Sequence, residues 1–141
     1  MTHIAYLAGI IDGEACISIF RRKPALPYIS RRYSLRVEIC MCSLKTIEWI
    51  QEHFGGTIYK KRRTRTADAG KLRKQSYTVS WSGRKACDLL QKVKPFLITK
   101  SHEADIAIEY QLKCPPKTYR LSRDELNRRE TAYRLLREAK L

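Results

Sequence analysis

Several things are missing from this chain of 141 residues, and each absence narrows what it can be. No apolar run approaches the roughly 18 residues that a membrane-spanning helix needs. The five cysteines (Cys16, Cys40, Cys42, Cys87, Cys114) are an odd number with no CxxC pair. Neither a disulfide framework nor a zinc site finds its spacing there, which leaves reduced thiols packed as small apolar groups. The opening Met1-Thr2-His3-Ile4-Ala5 carries no basic n-region and no cleavage pattern. An intracellular protein is expected, neither secreted nor membrane-bound. His3, His53 and His102 share no spacing that suggests a metal site or a catalytic triad, and read as structural or surface residues.

Acidic residues are also scarce: 14 Asp and Glu face 29 Lys and Arg, a net charge of +15. The excess is concentrated. Residues 21–36 hold six basic and no acidic side chains, and residues 60–74 hold eight basic against Asp68 alone. These 31 residues carry +13 and leave +2 for the rest of the chain. Two dense blocks describe a polyanion-binding surface, for which nucleic acid is the default partner. Hydrophobic residues at 43% supply a core, and the length fits one domain. The one linker-like break, Cys114-Pro115-Pro116-Lys117, divides a core of 1–113 from a C-terminal extension of 114–141.

The pattern predicts an opening helix over His3–Gly13, with Ile4, Leu7, Ala8 and Ile11 on one face. Ala5, Gly9 and Gly13 form a smooth stripe on which another helix could approach closely, despite the helix propensity that glycine forfeits. Strands follow at Cys16–Phe20 and Ser34–Ile39, then a helix over Leu44–Phe54 capped by Ser43 and stopped by Gly55-Gly56. A second strand pair runs from Thr57 to about Thr66 and from Gln75 to Trp81. Helices from Ser82 to Lys92 and Ser101 to Leu112 complete the core, with Ala86, Leu89, Leu90 and Val93 inward. Trp49 and Trp81 read as core. In the tail, Ser122-Arg123-Asp124-Glu125 resembles a capping box, Glu125/Arg129 and Glu130/Arg134 are i,i+4 pairs, and Leu126, Tyr133 and Leu136 can dock on the core. The expected fold class is α+β: a four-stranded antiparallel sheet with helices on one face, the other face basic and polar.

Leu7-Ala8-Gly9-Ile10-Ile11-Asp12-Gly13-Glu14-Ala15 resembles the nine-residue signature of the LAGLIDADG homing endonucleases. Leu7, Ala8, Gly9, Ile11 and Asp12 match literally, Ile10 is conservative, and Glu14 supplies the second acidic position. The resemblance spans about residues 3–113 and implies an αββαββα core with a saddle-shaped sheet and an added C-terminal helix. It implies that motif helices pair across a two-fold axis through Ala5, Gly9, Asp12 and Gly13. One motif rather than two implies a homodimer on a long pseudo-palindromic site in double-stranded DNA. Glu14 and the Gly13 carbonyl are the implied metal ligands, for Mg²⁺ with Mn²⁺ substituting and Ca²⁺ allowing binding without cleavage. The implied product is a double-strand break with short 3′ overhangs. The implied setting is an element encoded within an intron or intein in a bacterium, phage or organelle, and intron RNA is a further candidate partner.

Lys94-Pro95-Phe96-Leu97 followed by Lys100 looks like the stretch where that family places a basic residue beside the scissile phosphate. At the end of the second strand, where relatives carry Gln or Asn, counting from Leu35 gives Met41, which cannot order a water as an amide can. Cys42 or Ser43 by a register slip, or Lys45, are the alternatives for water positioning. For Asp12, local hydrogen bonding at the helix end is preferred to a direct metal role. Strand alternation nominates as base readers Ser18, Phe20 and Arg22; Arg32, Ser34, Arg36 and Glu38; Lys60, Arg62 and Thr64 if Tyr59 faces inward; and Ser76, Thr78 and Ser80. Lys23, Arg31, Lys71, Arg73 and Lys74 are nominated to hold phosphates. The rival expectation is a splicing maturase or DNA-binding regulator that does not cleave.

Overall fold

The computed structural model describes residues 2–24, 26–27, 31–67, 70–115 and 121–140. Helix α1 (Thr2–Glu14) leads directly into strand β1 (Ala15–Arg22), which turns back as β2 (Arg32–Met41). Helix α2 (Leu44–Phe54) follows, then β3 (Thr57–Lys60), β4 (Tyr77–Ser82), α3 (Gly83–Val93), a 3-10 turn (Lys94–Phe96), α4 (Ser101–Leu112) and α5 (Arg123–Ala139). The four strands form one antiparallel sheet in the order β1-β2-β4-β3.

Alternation decides the faces. Ile17, Ile19, Leu35, Val37, Ile39, Val79 and Trp81 are buried against Leu7, Ala8 and Ile11 of α1, Ile47 and Ile50 of α2, and Ala86, Leu89, Leu90 and Val93 of α3. Ser43 caps α2 as expected, its Oγ accepting from the Thr46 N–H at 3.3 Å. Gly56 cannot be replaced cheaply: at φ +95° any Cβ would lie 2.9 Å from both Trp81 and Val79. Trp81 is core, its Nε1 donating to the Phe54 carbonyl at 3.2 Å. Trp49, also expected in the core, is only half-buried.

The second hairpin differs from expectation. β3 stops at Lys60 and β4 starts at Tyr77, so the strands are shorter than Thr57–Thr66 and Gln75–Trp81. Beyond them the two arms stay together through scattered bonds, among them Lys61 N–H to Ser76 O at 3.0 Å, Arg73 N–H to Thr64 O at 2.9 Å and Thr66 N–H to Lys71 O at 2.8 Å, with an isolated bridge between Arg65 and Leu72. The arms are packed with like charge and have no apolar face to bury, so a regular ladder gains little there.

The tail docks. Leu136 is 1% exposed within the core, with Ala132 and Tyr133 packed against it, whereas Leu126 stays outside this cluster. Glu130 accepts from the Arg21 guanidinium at 2.6 Å and from the Tyr33 hydroxyl at 2.7 Å, clamping α5 to the β1–β2 hairpin. Ser122 Oγ accepts from the Glu125 N–H at 3.1 Å, the first half of the anticipated capping box. Both i,i+4 pairs form, Glu125–Arg129 at 2.8 Å and Glu130–Arg134 at 3.2 Å. The anticipated break at Pro116-Lys117 lies outside the described residues. No described helix is long and apolar enough to cross a membrane.

Candidate nucleic-acid interface and the end of α1

The face of the sheet opposite the core carries Ser18, Phe20 and Arg22 from β1 and Arg32, Ser34, Arg36 and Glu38 from β2, in direct cross-strand register: Ser18 with Arg36, Phe20 with Ser34, Arg22 with Arg32. Two exposed arginines set opposite one another repel, and the pair is relieved when an anion lies between them. Further along, the Arg36 guanidinium lies 4.0 Å over the Phe20 ring and donates to Glu38 Oε1 at 3.3 Å. Glu38 Oε2 in turn accepts from the Tyr59 hydroxyl at 3.1 Å. Burial first, and then the Glu38 charge, push the Tyr59 phenol above its usual value of 10.0, so it remains a proton donor. Phe20, Arg36, Glu38 and Tyr59 are therefore one pre-arranged chain of contacts across three strands.

Tyr59 corrects the expected readers on β3. Ile58 pairs with Val79 and packs on the core, so Tyr59, opposite Thr78, takes the polar face. Lys60 then points with Tyr77 to the other side, and Arg62 and Thr64 lie beyond the strand. An isoleucine wins the core-facing position from a tyrosine because burying it leaves no hydroxyl to satisfy. On β4, Ser80 is half-exposed, but Thr78 is only 3% exposed and cannot contact a base as it stands. Ser76, just before the strand, lines an open cleft with Cys42, Lys61, Arg62, Arg63, Thr64, Arg73 and Lys74. Lys23 and Lys71 are exposed in the loops and Arg31 is half-exposed.

At the end of α1 the chain brings together residues nearly ninety positions apart. The Asp12 carboxylate accepts from the Ile98 N–H at 2.8 Å and the Lys100 N–H at 3.0 Å. Burial opposes its charge, yet these N–H groups, that of Thr99 and the Lys100 ammonium together hold its carboxyl below 3.8. The Lys100 Nζ donates to the carbonyls of Ile11 at 2.9 Å and Asp12 at 3.1 Å, where the helix dipole favours a cation. Asp12 is thus held by hydrogen bonds, but to backbone 86 and 88 positions away rather than to its own neighbours as expected, and its carboxylate is engaged within the chain rather than at the α1 stripe. Glu14 is exposed at the junction of α1 with β1. Lys140, at the end of α5, lies 3.6 Å from the Cys16 thiol, adding a cation two residues from Glu14 that sequence reasoning missed.

Met41 does not face this site. It shares the side of Ile39, pairs with Tyr77 and packs against the core. The polar-face position at the end of β2 belongs to Cys40, opposite Thr78, and Cys42 opens onto the basic cleft. Ser43 is committed to its cap, while Lys45 is exposed in the first turn of α2.

Ala5, Gly9 and Gly13 are all exposed, and a Cβ added at either glycine would meet nothing within 4 Å. Exposed apolar side chains flank the stripe: Tyr6 on α1 itself, and Phe96 and the 87% exposed Ile98 from the segment bonded to Asp12. Among the described residues no three His, Cys, Asp or Glu side chains converge to hold a metal ion.

No protein-family model and no curated protein matches the chain by sequence. Solved structures do match by shape. The homing endonuclease I-CvuI, in complex with a target DNA in the presence of Mg with the DNA not cleaved, superposes with a TM-score of 0.77 at 18% identity, covering 98% of this chain and 82% of that one. The archaeal intron-encoded homing endonuclease I-Vdi141I complexed with DNA gives 0.76 at 18%, covering 98% and 84%. The LAGLIDADG homing endonuclease I-SmaMI bound to cleaved DNA gives 0.69 at 16%, covering 98% of this chain and 45% of that one.

Proposed function

We propose that this chain, which has the LAGLIDADG homing-endonuclease fold, is a site-specific double-strand DNA endonuclease working as a homodimer. Residues 1–113 are the nuclease core in this reading and 114–141 its extension. The single observation that carries it is the build of the α1 end: the motif's acidic residue, Glu14, is exposed there, Lys100 is anchored to the Ile11 and Asp12 carbonyls just before it, and the glycine stripe beside them is uncovered.

One chain offers one Glu14, and among the described residues no group of three His, Cys, Asp or Glu side chains gathers to hold a metal ion. Pairing α1 with a second copy through Ala5, Gly9 and Gly13, rimmed by Tyr6, Phe96 and Ile98, brings two Glu14 side chains to one axis and covers apolar surface otherwise left in water. The donor set this creates, carboxylates and the Gly13 carbonyl with phosphate oxygens and water, is hard and suits Mg²⁺ better than a soft metal. When bound there, Mg²⁺ supplies Lewis-acid stabilisation of the phosphate undergoing in-line attack. Lys100 holds a positive charge beside that phosphate, and Asp12 positions Lys100 by gripping its backbone. Arg22, Arg32 and the basic cleft take the DNA backbone in this reading, while Arg36, Tyr59 and Ser80 meet base edges. Two-fold symmetry then calls for a pseudo-palindromic target.

The experiment is cleavage of the uninterrupted host locus on a plasmid, with Mg²⁺, with Ca²⁺ and with Glu14→Gln. A discrete linear product with Mg²⁺, none with Ca²⁺, and none from Glu14→Gln while binding persists, is the expected result. Specific binding with no cut in any metal would overturn it in favour of a splicing maturase or regulator. What favours that second reading is that thiols, Cys40 and Cys42, stand where a water-ordering amide is expected.

A further inference from the structure

At the outer end of α1, remote along the helix from Glu14, the fold places His3 of α1 against His53 of α2, their ring centroids 4.4 Å apart and their planes at 81°. Both side chains are exposed. His53 is oriented from behind: its Nδ1 lies 2.9 Å from the Trp49 carbonyl oxygen. A carbonyl can only accept, so Nδ1 carries the proton and Nε2 keeps its lone pair for another partner. An imidazole fixed through one nitrogen by a carbonyl is the usual arrangement of a metal-bound histidine.

The spacing bears on which metal. With a metal–nitrogen bond of about 2.0–2.1 Å, a ring centroid sits about 3.2 Å from the ion. Two such rings at a right angle about the ion are then about 4.5 Å apart, and at the tetrahedral angle about 5.2 Å. The observed centroid separation of 4.4 Å is close enough for one ion to bridge the two rings and is nearer the right-angle value than the tetrahedral one. We propose that His3 and His53 form a two-histidine site for a late first-row divalent cation such as Ni²⁺ or Cu²⁺, with water completing the shell. Such an ion ties the start of α1 to the last turn of α2. It is independent of any metal at Glu14, whose oxygen donors suit harder ions.

The structure supplies its own reporter, because the Trp49 ring lies 4.5 Å from His53 and 5.4 Å from His3. The test is a NiCl₂ titration of the full chain followed by tryptophan emission. Saturable quenching is expected, reversed by EDTA and not produced by MgCl₂. His3→Gln and His53→Gln should each raise the midpoint at least about tenfold, and His102→Gln should leave it unchanged. Circular dichroism confirms that the variants, both at exposed positions, remain folded. Quenching that is absent in the parent, or insensitive to either histidine, would overturn the proposal.

Discussion

Asp12 and Lys100 hold one another twice: the Asp12 carboxylate accepts the Lys100 backbone N–H at 3.0 Å, and the Lys100 ammonium donates back to the Asp12 carbonyl at 3.1 Å. This reciprocal grip joins the C-terminal end of α1 to the start of α4. It means that Lys100 is positioned by backbone as well as by side chain, so its location should survive loss of the ammonium but not loss of the Asp12 carboxylate.

Asp12→Asn should therefore loosen the segment 98–100 and cost about 1–2 kcal/mol at neutral pH. The pH dependence has a definite sign. The Asp12 carboxyl lies below its unfolded value, as does that of Glu125, which Arg128 and Arg129 hold at about 2 against burial. Their stabilisation is present in full above an unfolded pKa of about 4 and is lost as pH falls through the folded values. Urea midpoints at pH 7 and pH 3 should show the gap between the parent and Asp12→Asn shrinking in acid. An unchanged gap would contradict this role.

Gly9→Leu separates folding from association. The added side chain meets nothing within the chain, and helix propensity alone favours the substitution by up to about 1 kcal/mol. Sedimentation should show a dimer for the parent and a monomer for Gly9→Leu, with no loss in melting temperature. A variant that still dimerises would remove α1 from the interface.

Leu136→Ala tests whether α5 belongs to the core. A fully enclosed leucine truncated to alanine typically costs about 2–5 kcal/mol. One cooperative transition at lower denaturant is expected; an unchanged midpoint would show α5 to be a dispensable attachment.

Arg36→Ala removes the middle of the Phe20–Arg36–Glu38–Tyr59 chain without touching Glu14. Loss of about 1–3 kcal/mol in discrimination at one base position of each half-site is expected. Arg22→Ala should instead weaken binding evenly across sequences and lower its salt dependence. Competition binding against single-base target variants distinguishes the two patterns.

Much of this was legible in the residues themselves. The α1 stripe, the inward sets on β1, β2 and β4 and the docking of Leu136 follow from periodicities of 2.0 and 3.6, and the Ser43 cap from a hydroxyl at a helix start, all local properties of a chain. So does the basic face, because charge density needs no tertiary structure to be counted. What the sequence could not determine are choices between neighbours of similar chemistry and meetings across long separations. Whether Ile58 or Tyr59 turned inward was such a choice, and with Ile58 against Val79 it took Lys60 off the polar face, while Arg62 and Thr64 lie beyond the strand altogether. Met41 is different: it follows the alternation of Leu35, Val37 and Ile39 inward to pack opposite Tyr77, which the residues themselves dictate. The grip of Asp12 on Lys100, the reach of Lys140 to Cys16 and the pairing of His3 with His53 join residues 88, 124 and 50 positions apart. No spacing rule encodes them, since only packing several helices on one sheet brings those ends together.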